Sequence, residues 1–478
     1  MSFTEYKFFV FFAAVYALLW ISKLIFPRRK DAFVAVNKVI LLVGSYVFIA
    51  MADIRFCLSV LAVTALIYFV ALKMASSVHR KILLTIGVVL VIGQLAFFKY
   101  FNFFSDAVAG VFGGNSPVLN IIAPLGISFY SFSAVGYLID VYRLKYAPEK
   151  NFVNAALYIS FFTKLVSGPL MKPEEFFSQL DEKHCVSMKN LEAGLQIVIL
   201  GLFKKMVLAD RLSVFVNDVF AVPAAFDSLT VLLAVLSYSL QIYFDFSGYS
   251  DIAIGFSKMI GFDIRANFNL PYVSANPTEF WKRWHISLSQ WLQEYLYISL
   301  GGNRKGQVRT YLNLFLTMAI GGLWHGASFT FIVWGALNGL GLIVHKLFRK
   351  AASARKYKAC KPAVSKAVSV AATFVFINVT WVFFRADSFS AAMAVFRQLL
   401  CEDGIRQIYS WFFVALIFAV AEIVTAVVKK KKHDGKITNE YVILDLTKVR
   451  NIAFVITALA ATLLFAYFGN TAFIYGNF

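Results

Sequence analysis

Two histidines occupy settings in which a side chain could move a proton. His325 lies in Gly321-Gly322-Leu323-Trp324-His325-Gly326-Ala327, inside 36 residues from Thr310 to His345 that carry no Lys, Arg, Asp or Glu. His285 stands 40 residues upstream, beside Trp284 and Arg283. Imidazole is the side chain best poised to take a proton near neutral pH. As a general base it fits acyl transfer, accepting the proton of a hydroxyl that attacks a thioester carbonyl. A second polar group would then steady the oxyanion or orient the first histidine. The chain has no metal-ligand spacing, no Walker loop and no Gly-x-Gly-x-x-Gly, so phosphoryl and hydride transfer lack support and no metal site is expected. Gly301-Gly302-Asn303-Arg304-Lys305-Gly306 is phosphate-friendly in composition only and serves equally as a basic turn.

Two carboxylates form a second polar group. They close the long apolar run from Leu229, in Tyr243-Phe244-Asp245-Phe246-Ser247-Gly248-Tyr249-Ser250-Asp251. Helical geometry puts Tyr243, Ser247 and Asp251 on one stripe, and Gln241, Asp245 and Tyr249 on another. Carboxylates near membrane depth need Arg, Lys, His or backbone donors as partners. They either brace neighbouring helices or contact substrate, and both readings stay open.

These groups have to be positioned by membrane helices. The chain is 60% hydrophobic, 17% aromatic and 15% charged, with mean hydropathy +0.70, which indicates an all-α polytopic membrane protein. Its net charge of +20 comes from 46 basic and 26 acidic residues. The basic residues cluster in short loops between apolar runs, a pattern that fits the positive-inside rule and contact with anionic lipid headgroups rather than nucleic acid. Cys57, Cys185, Cys360 and Cys401 are scattered and suggest neither disulfides nor zinc. The N-terminus lacks a basic n-region and a small-residue cleavage site, so the first apolar run should stay as a helix.

Spans are expected near 7–26, 38–52, 56–72, 82–98, 120–140, 192–209, 229–257, 311–325, 329–347, 367–384, 411–428 and 452–468, with 153–170, 280–300 and the short second run, 38–52, undecided. Gly326, Ala327 and Ser328 are the natural turn between two short legs of the uncharged run. Basic clusters at Arg28-Arg29-Lys30, His79-Arg80-Lys81, 349–366 and Lys429-Lys430-Lys431-Lys432 assign those loops to the cytoplasm and both termini to the outside. The organisation expected is a single membrane domain, 1–478.

Between Asn276 and Asn303, Trp281, Trp284, Leu288, Trp291 and Tyr295 recur at helical spacing. Asn276-Pro277-Thr278 supplies a start and Gly301-Gly302 an end. The pattern predicts one helix lying at or dipping into the membrane interface, with His285 on the edge between its apolar and polar faces. An interfacial anchor with an incidental histidine satisfies the same spacing.

Phe280-Trp281-Lys282-Arg283-Trp284-His285-Ile286-Ser287-Leu288-Ser289, Tyr295-Leu296-Tyr297-Ile298, Gly301-Gly302-Asn303-Arg304 and Gly322-Leu323-Trp324-His325-Gly326-Ala327, taken in order, resemble the membrane-bound O-acyltransferase (MBOAT) family. The resemblance is to its bacterial branch that acetylates alginate, peptidoglycan and other exopolysaccharides. The 243–251 stretch and Pro124-Leu125-Gly126-Ile127-Ser128-Phe129-Tyr130 resemble that branch too.

The resemblance implies about 11–13 transmembrane helices, with re-entrant or interfacial helices around a central tunnel. It implies a catalytic core over 120–345, followed by C-terminal transmembrane helices and an outer-face tail over 349–478. On it, His325 is catalytic and His285 its partner, with Trp324, Asp245, Asp251 and Arg283 as substrate or tunnel candidates. It implies acetyl-coenzyme A as the cytoplasmic donor, with no tightly bound cofactor, and a location in the bacterial inner membrane. A periplasmic or anchored SGNH-hydrolase-like partner would complete transfer to the polysaccharide. Phe473-Ile474-Tyr475-Gly476-Asn477-Phe478 resembles the aromatic C-terminus of that branch, which makes Tyr475 a candidate acyl relay. Gly476-Asn477 departs from the aromatic and glutamine expected there, so an ordinary interfacial tyrosine competes with the relay. Transfer of another acyl group, such as D-alanine to teichoic acid, and a glycolipid transporter or flippase are the alternative functions.

Overall fold

The computed structural model describes residues 3–26, 29–112, 121–166, 168–181, 186–354, 362–432, 443–469 and 474. Among them secondary structure is helical throughout, apart from one isolated parallel bridge between Phe226 and Ile405. The chain is an all-α polytopic membrane protein. Among the described residues seven helices are long and apolar enough to cross a bilayer: Tyr6–Ile25, Asp31–Ala50, Ile54–Ser76, Arg80–Asp106, Ser228–Met259, Phe329–Ala351 and Val364–Arg385. Ser410–Thr425 and Val449–Phe465 are shorter and apolar. The chain divides into two compact units: Met1–Leu200 with Tyr249–Arg265 and Ile443–Val455, and Gly201–Gly248 with Ala266–Val442 and Ile456–Phe478.

The first unit contains α1 (Tyr6–Ile25), α2 (Lys30–Ala50), α3 (Ile54–Ser76), α4 (Arg80–Phe112), α5 (Ile127–Tyr142), α6 (Phe152–Ser160), α7 (Phe162–Leu165), α8 (Pro173–Asp181) and most of α9 (Met188–Leu202). Large exposed apolar side chains such as Leu58, Phe69, Val89 and Phe97 mark lipid-facing surface on α3 and α4. By contrast, α5 is buried along nearly its whole length. It starts at Ile127 because Gly126, at φ +70°, turns the chain there. The undecided stretch 153–170 is broken into α6 and α7, both largely buried. Phe3, Phe8, Phe12 and Phe256 pack as a ring cluster, with Phe12 and Phe256 centroids 4.4 Å apart.

The second unit holds most of α10 to α19: α10 (Asp210–Ala221), α11 (Ser228–Met259), α12 (Pro277–Arg283), α13 (Ile286–Trp291), α14 (Gln307–His325), α15 (Phe329–Ala354), α16 (Pro362–Arg385), α17 (Phe389–Gln398), α18 (Ser410–Lys432) and α19 (Val449–Phe465). Helix α11 runs on into the first unit from Tyr249. Two π-helical turns, Phe203–Ala209 and Leu292–Tyr297, interrupt the α register. Helices α14 and α15 are the two legs expected around 326–328, and glycines let them touch. A Cβ on Gly322 would strike the Phe331 carbonyl, and one on Gly335 the Met318 carbonyl. Close approach at small residues is how membrane helices gain packing without a hydrophobic driving force.

The Trp-rich stretch departs from the single helix that its period predicts. Its start is as expected: Asn276 Oδ1 caps the Glu279 N–H at 2.9 Å, and Pro277 follows. Its end is also as expected, with Gly301 and Gly302 at φ +108° and +56°. Between these ends α12 stops at Arg283 and α13 begins at Ile286, with His285 left-handed at φ +41°. The break exists because the segment 267–269 satisfies the backbone there. Asn269 N–H donates to Arg283 O (2.9 Å) and Ile286 N–H donates to Asn267 O (2.9 Å). Hydrophobic spacing senses burial, which continues across the break, so it cannot register a partner supplied from outside the helix.

Candidate active site

His325 is the last residue of α14, 3% exposed and enclosed by rings. Trp334 of α15 meets it edge-on at 5.0 Å between centroids, and Phe384 of α16 lies at 5.2 Å. Trp324, its neighbour in the chain, lies 4.8 Å away. Gly326 fits because a Cβ there would overlap the Phe331 ring. Behind the histidine, Trp334 stacks on Trp381 (5.7 Å, 15°), and Trp381 packs on Trp284 (5.0 Å). The environment is aromatic and buried, which limits solvent access to any thioester held there.

His285 is 1% exposed, and the break in its helix turns it away from the expected surface edge. Phe246 of α11 packs edge-on against its ring at 4.6 Å, and Trp324 lies 6.4 Å from it. Trp324 therefore neighbours both imidazoles, so the structure brings His285, Trp324 and His325 into one cluster. A left-handed non-glycine residue carries about 1–3 kcal/mol of strain, of the sort that collects at functional sites.

Asn267, absent from the sequence reading, fixes the chemistry of His285. Its Oδ1 lies 3.2 Å from His285 Nδ1 and also accepts from Ser287 N–H (3.1 Å) and Ser287 Oγ (3.0 Å). The Ser287 amide can only donate, so the atom facing it is the oxygen. An oxygen can only accept, so Nδ1 of His285 carries the ring proton. The neutral ring then has its lone pair on Nε2, the tautomer of an acceptor or base. The sequence signal that could have pointed here is Asn267-Phe268-Asn269, two amides around a phenylalanine whose ring packs on Trp284 at 5.1 Å.

The remaining candidates have other settings. Arg283 pairs with Glu279 (2.8 Å) and donates to Asn269 O (3.1 Å), which braces the break. Burial works to raise the Glu279 carboxyl, but the Ala275 amide and the Arg283 guanidinium outweigh it and hold the carboxyl below its ordinary value. Asp245 is buried and ion-paired with Lys205 at 2.5 Å. Asp251 is buried in the first unit. Tyr475 lies outside the described residues, as do Cys185 and Cys360. No group of three potential metal ligands occurs among the described residues.

Comparison with known proteins identifies the family. Residues 147–385 match the model of MBOAT, membrane-bound O-acyltransferase family. The match thus extends through α16, which supplies Trp381 and Phe384. The chain is 39% identical to a probable alginate O-acetylase, AlgI, of Pseudomonas aeruginosa, over 76% of this chain and 69% of the relative. It is 35% identical to a peptidoglycan O-acetyltransferase of Helicobacter pylori, over 77% of this chain and 74% of the relative. A teichoic acid D-alanyltransferase of Bacillus subtilis is 28% identical over 49% of this chain. With its ordered histidine motifs and a match of this extent, the chain belongs to the membrane-bound O-acyltransferase family.

Proposed function

We propose that this membrane-bound acyltransferase carries acetyl groups across the bacterial cytoplasmic membrane for O-acetylation of an extracellular or cell-wall polysaccharide. Acetyl-coenzyme A on the cytoplasmic side is the donor, His325 the catalytic base and His285 its partner. The observation that carries the reading is the shared enclosure of the two imidazoles around Trp324, with Asn267 setting the tautomer of His285. In the reaction, His325 takes the proton of the acceptor hydroxyl as its oxygen forms a bond to the thioester carbonyl carbon. Collapse of the tetrahedral intermediate breaks the C–S bond, and the leaving thiolate receives the proton back from the imidazolium. His285, bearing its proton on Nδ1, orients the reacting groups through the cluster.

Acetyl rather than D-alanyl transfer is favoured because the acetylase relatives align over about three-quarters of the chain and the D-alanyltransferase over about half. The tail tyrosine, Tyr475, is the candidate acyl relay. An SGNH-hydrolase-like partner outside the membrane would then complete transfer to sugar. The test is ester-linked acetyl in surface polysaccharides of cells carrying the wild type or His325→Ala at equal membrane abundance. Loss of ester, roughly 100-fold or more for a missing general base, is expected with the variant. Unchanged acetylation overturns the assignment of His325, and loss of D-alanyl esters instead selects the other acyl group.

A further inference from the structure

Three described residues at or beyond the end of α19, Phe465, Tyr467 and Ile474, are fastened within the second unit. Arg211 Nε donates to Phe465 O at 3.1 Å. Tyr467 N–H donates to Met206 O at 2.9 Å. Ile474 N–H donates to Asp245 Oδ2 at 2.9 Å. The acceptors for Tyr467 and Ile474 are unusual. Met206 sits inside the π-helical turn Phe203–Ala209, where the widened ladder takes carbonyls out of α register and makes them available to outside donors. Asp245 is a carboxylate 1% exposed, and nothing in its own helix requires it to receive the Ile474 amide.

Ionic bookkeeping around that turn explains why an amide is welcome. Lys205 pairs with both Asp245 (2.5 Å) and Asp210 (2.7 Å). Lys204 pairs with Glu422 (2.6 Å), whose other oxygen accepts from Tyr243 OH (3.0 Å). Among the described residues three carboxylates and two ammonium groups meet here, and the Ile474 amide adds a neutral donor to Asp245. The approach that makes this possible depends on Gly248, where a Cβ would meet Gly201 O at 2.7 Å and Lys205 N at 3.0 Å.

We propose that the π-helical turn and Asp245 form a socket for the chain's own carboxyl-terminal segment. Asp245 is its positioning residue, fixing that segment relative to the histidine cluster. The link runs along one turn of α11: Asp245 holds the tail, and the next residue, Phe246, packs edge-on against His285. The effect on catalysis rests on the acyl-transfer reading above, whereas the docking itself does not.

The test is hydrogen–deuterium exchange of the full chain in lipid nanodiscs, read on peptides covering 460–478, together with acetyl-transfer kinetics. Two variants are compared with the wild type. Asp245→Ala removes the acceptor. Ile474→Pro removes only the amide donor and leaves every charge in place. Both are expected to speed exchange of the Tyr467 amide by roughly tenfold or more, the scale set by losing a buried hydrogen bond to a charged group. Both should also lower kcat with the KM for acetyl-coenzyme A unchanged, while exchange in α14 and α15 stays at the wild-type rate. Ile474→Val keeps the amide and should restore protection and kcat. Unchanged tail exchange in Ile474→Pro, or equal acceleration in Ile474→Val, overturns the socket. If the wild type transfers no acetyl group, the acyl-transfer reading falls, and the exchange ratio still decides the docking.

Discussion

Replacing Asn267 by alanine tests whether the amide orients His285 or only fills space. The substitution removes an acceptor used at three points: His285 Nδ1 (3.2 Å), Ser287 N–H (3.1 Å) and Ser287 Oγ (3.0 Å). Stranding buried donors of this kind costs about 1–3 kcal/mol each, less whatever relaxation recovers, so the folded state should weaken by roughly 2–4 kcal/mol. A further 1–3 kcal/mol is the orienting hydrogen bond to the imidazole. If it is lost only in the transition state, it lowers kcat by about 5- to 150-fold. Ser287→Ala is the control, because it deletes one donor to Asn267 and leaves the His285 contact intact. The assay is single-turnover acetyl transfer in proteoliposomes, normalised to protein that remains monodisperse by fluorescence-detected size exclusion. The expectation is a large kcat loss in Asn267→Ala and less than about a twofold loss in Ser287→Ala. Wild-type kcat in folded Asn267→Ala would refute the orienting role. Equal losses in both variants would reduce it to a loop-packing effect.

Two further predictions concern the scaffold. Gly322→Leu places a side chain where a single Cβ already strikes the Phe331 carbonyl. It should separate α14 from α15, lower thermal stability by an overpacking term of about 1–3 kcal/mol or more, and abolish activity. A variant with wild-type melting and turnover would show that the helices do not need this contact. Asp227, just before α11, accepts from Thr230 N–H (2.8 Å) and pairs with Arg406 (2.6 Å), which together hold its carboxyl down to about 2. Because its folded value is depressed, its stabilisation is fully present above the ordinary carboxylate range. It is lost as pH falls from about 4 toward 2. The melting temperatures of the wild type and Asp227→Asn should therefore differ at pH 6 and converge near pH 2, and a constant gap across that range would rule out the ion pair as the source.

The long apolar helices were legible because lipid demands continuous hydrophobic runs, and Tyr6–Ile25, Ile54–Ser76 and Ser228–Met259 follow the expected spans within a few residues. The turn at 326–328 was legible for a local reason, a glycine after the histidine and small residues beside it. Local patterning could not show the break at His285. The aromatic period reports burial and continues through the break, whereas the left-handed turn is held by Asn267 and Asn269 from another segment. The same limit hid the partner of Asp245. Lys204 and Lys205 lie in a run that hydropathy treats as one span, and whether a buried lysine meets an acid depends on tertiary placement.

The two features that sequence could not join meet on one helical turn of α11. Consecutive residues of a helix point about 100° apart, so Asp245 and Phe246 serve different neighbours: one a charged socket, the other an aromatic enclosure. A carboxylate so close to the enclosure would disturb it unless its charge were contained, and Lys205 with the Ile474 amide contains it. The aromatic enclosure around the histidines therefore stays free of an uncontained carboxylate charge while an ionic cluster one residue away fixes the helix in register. A substitution that neutralises Asp245 acts on both. It unfastens the tail and releases the turn that presents Phe246 to His285, so catalytic loss in such a variant should track tail exchange rather than global unfolding.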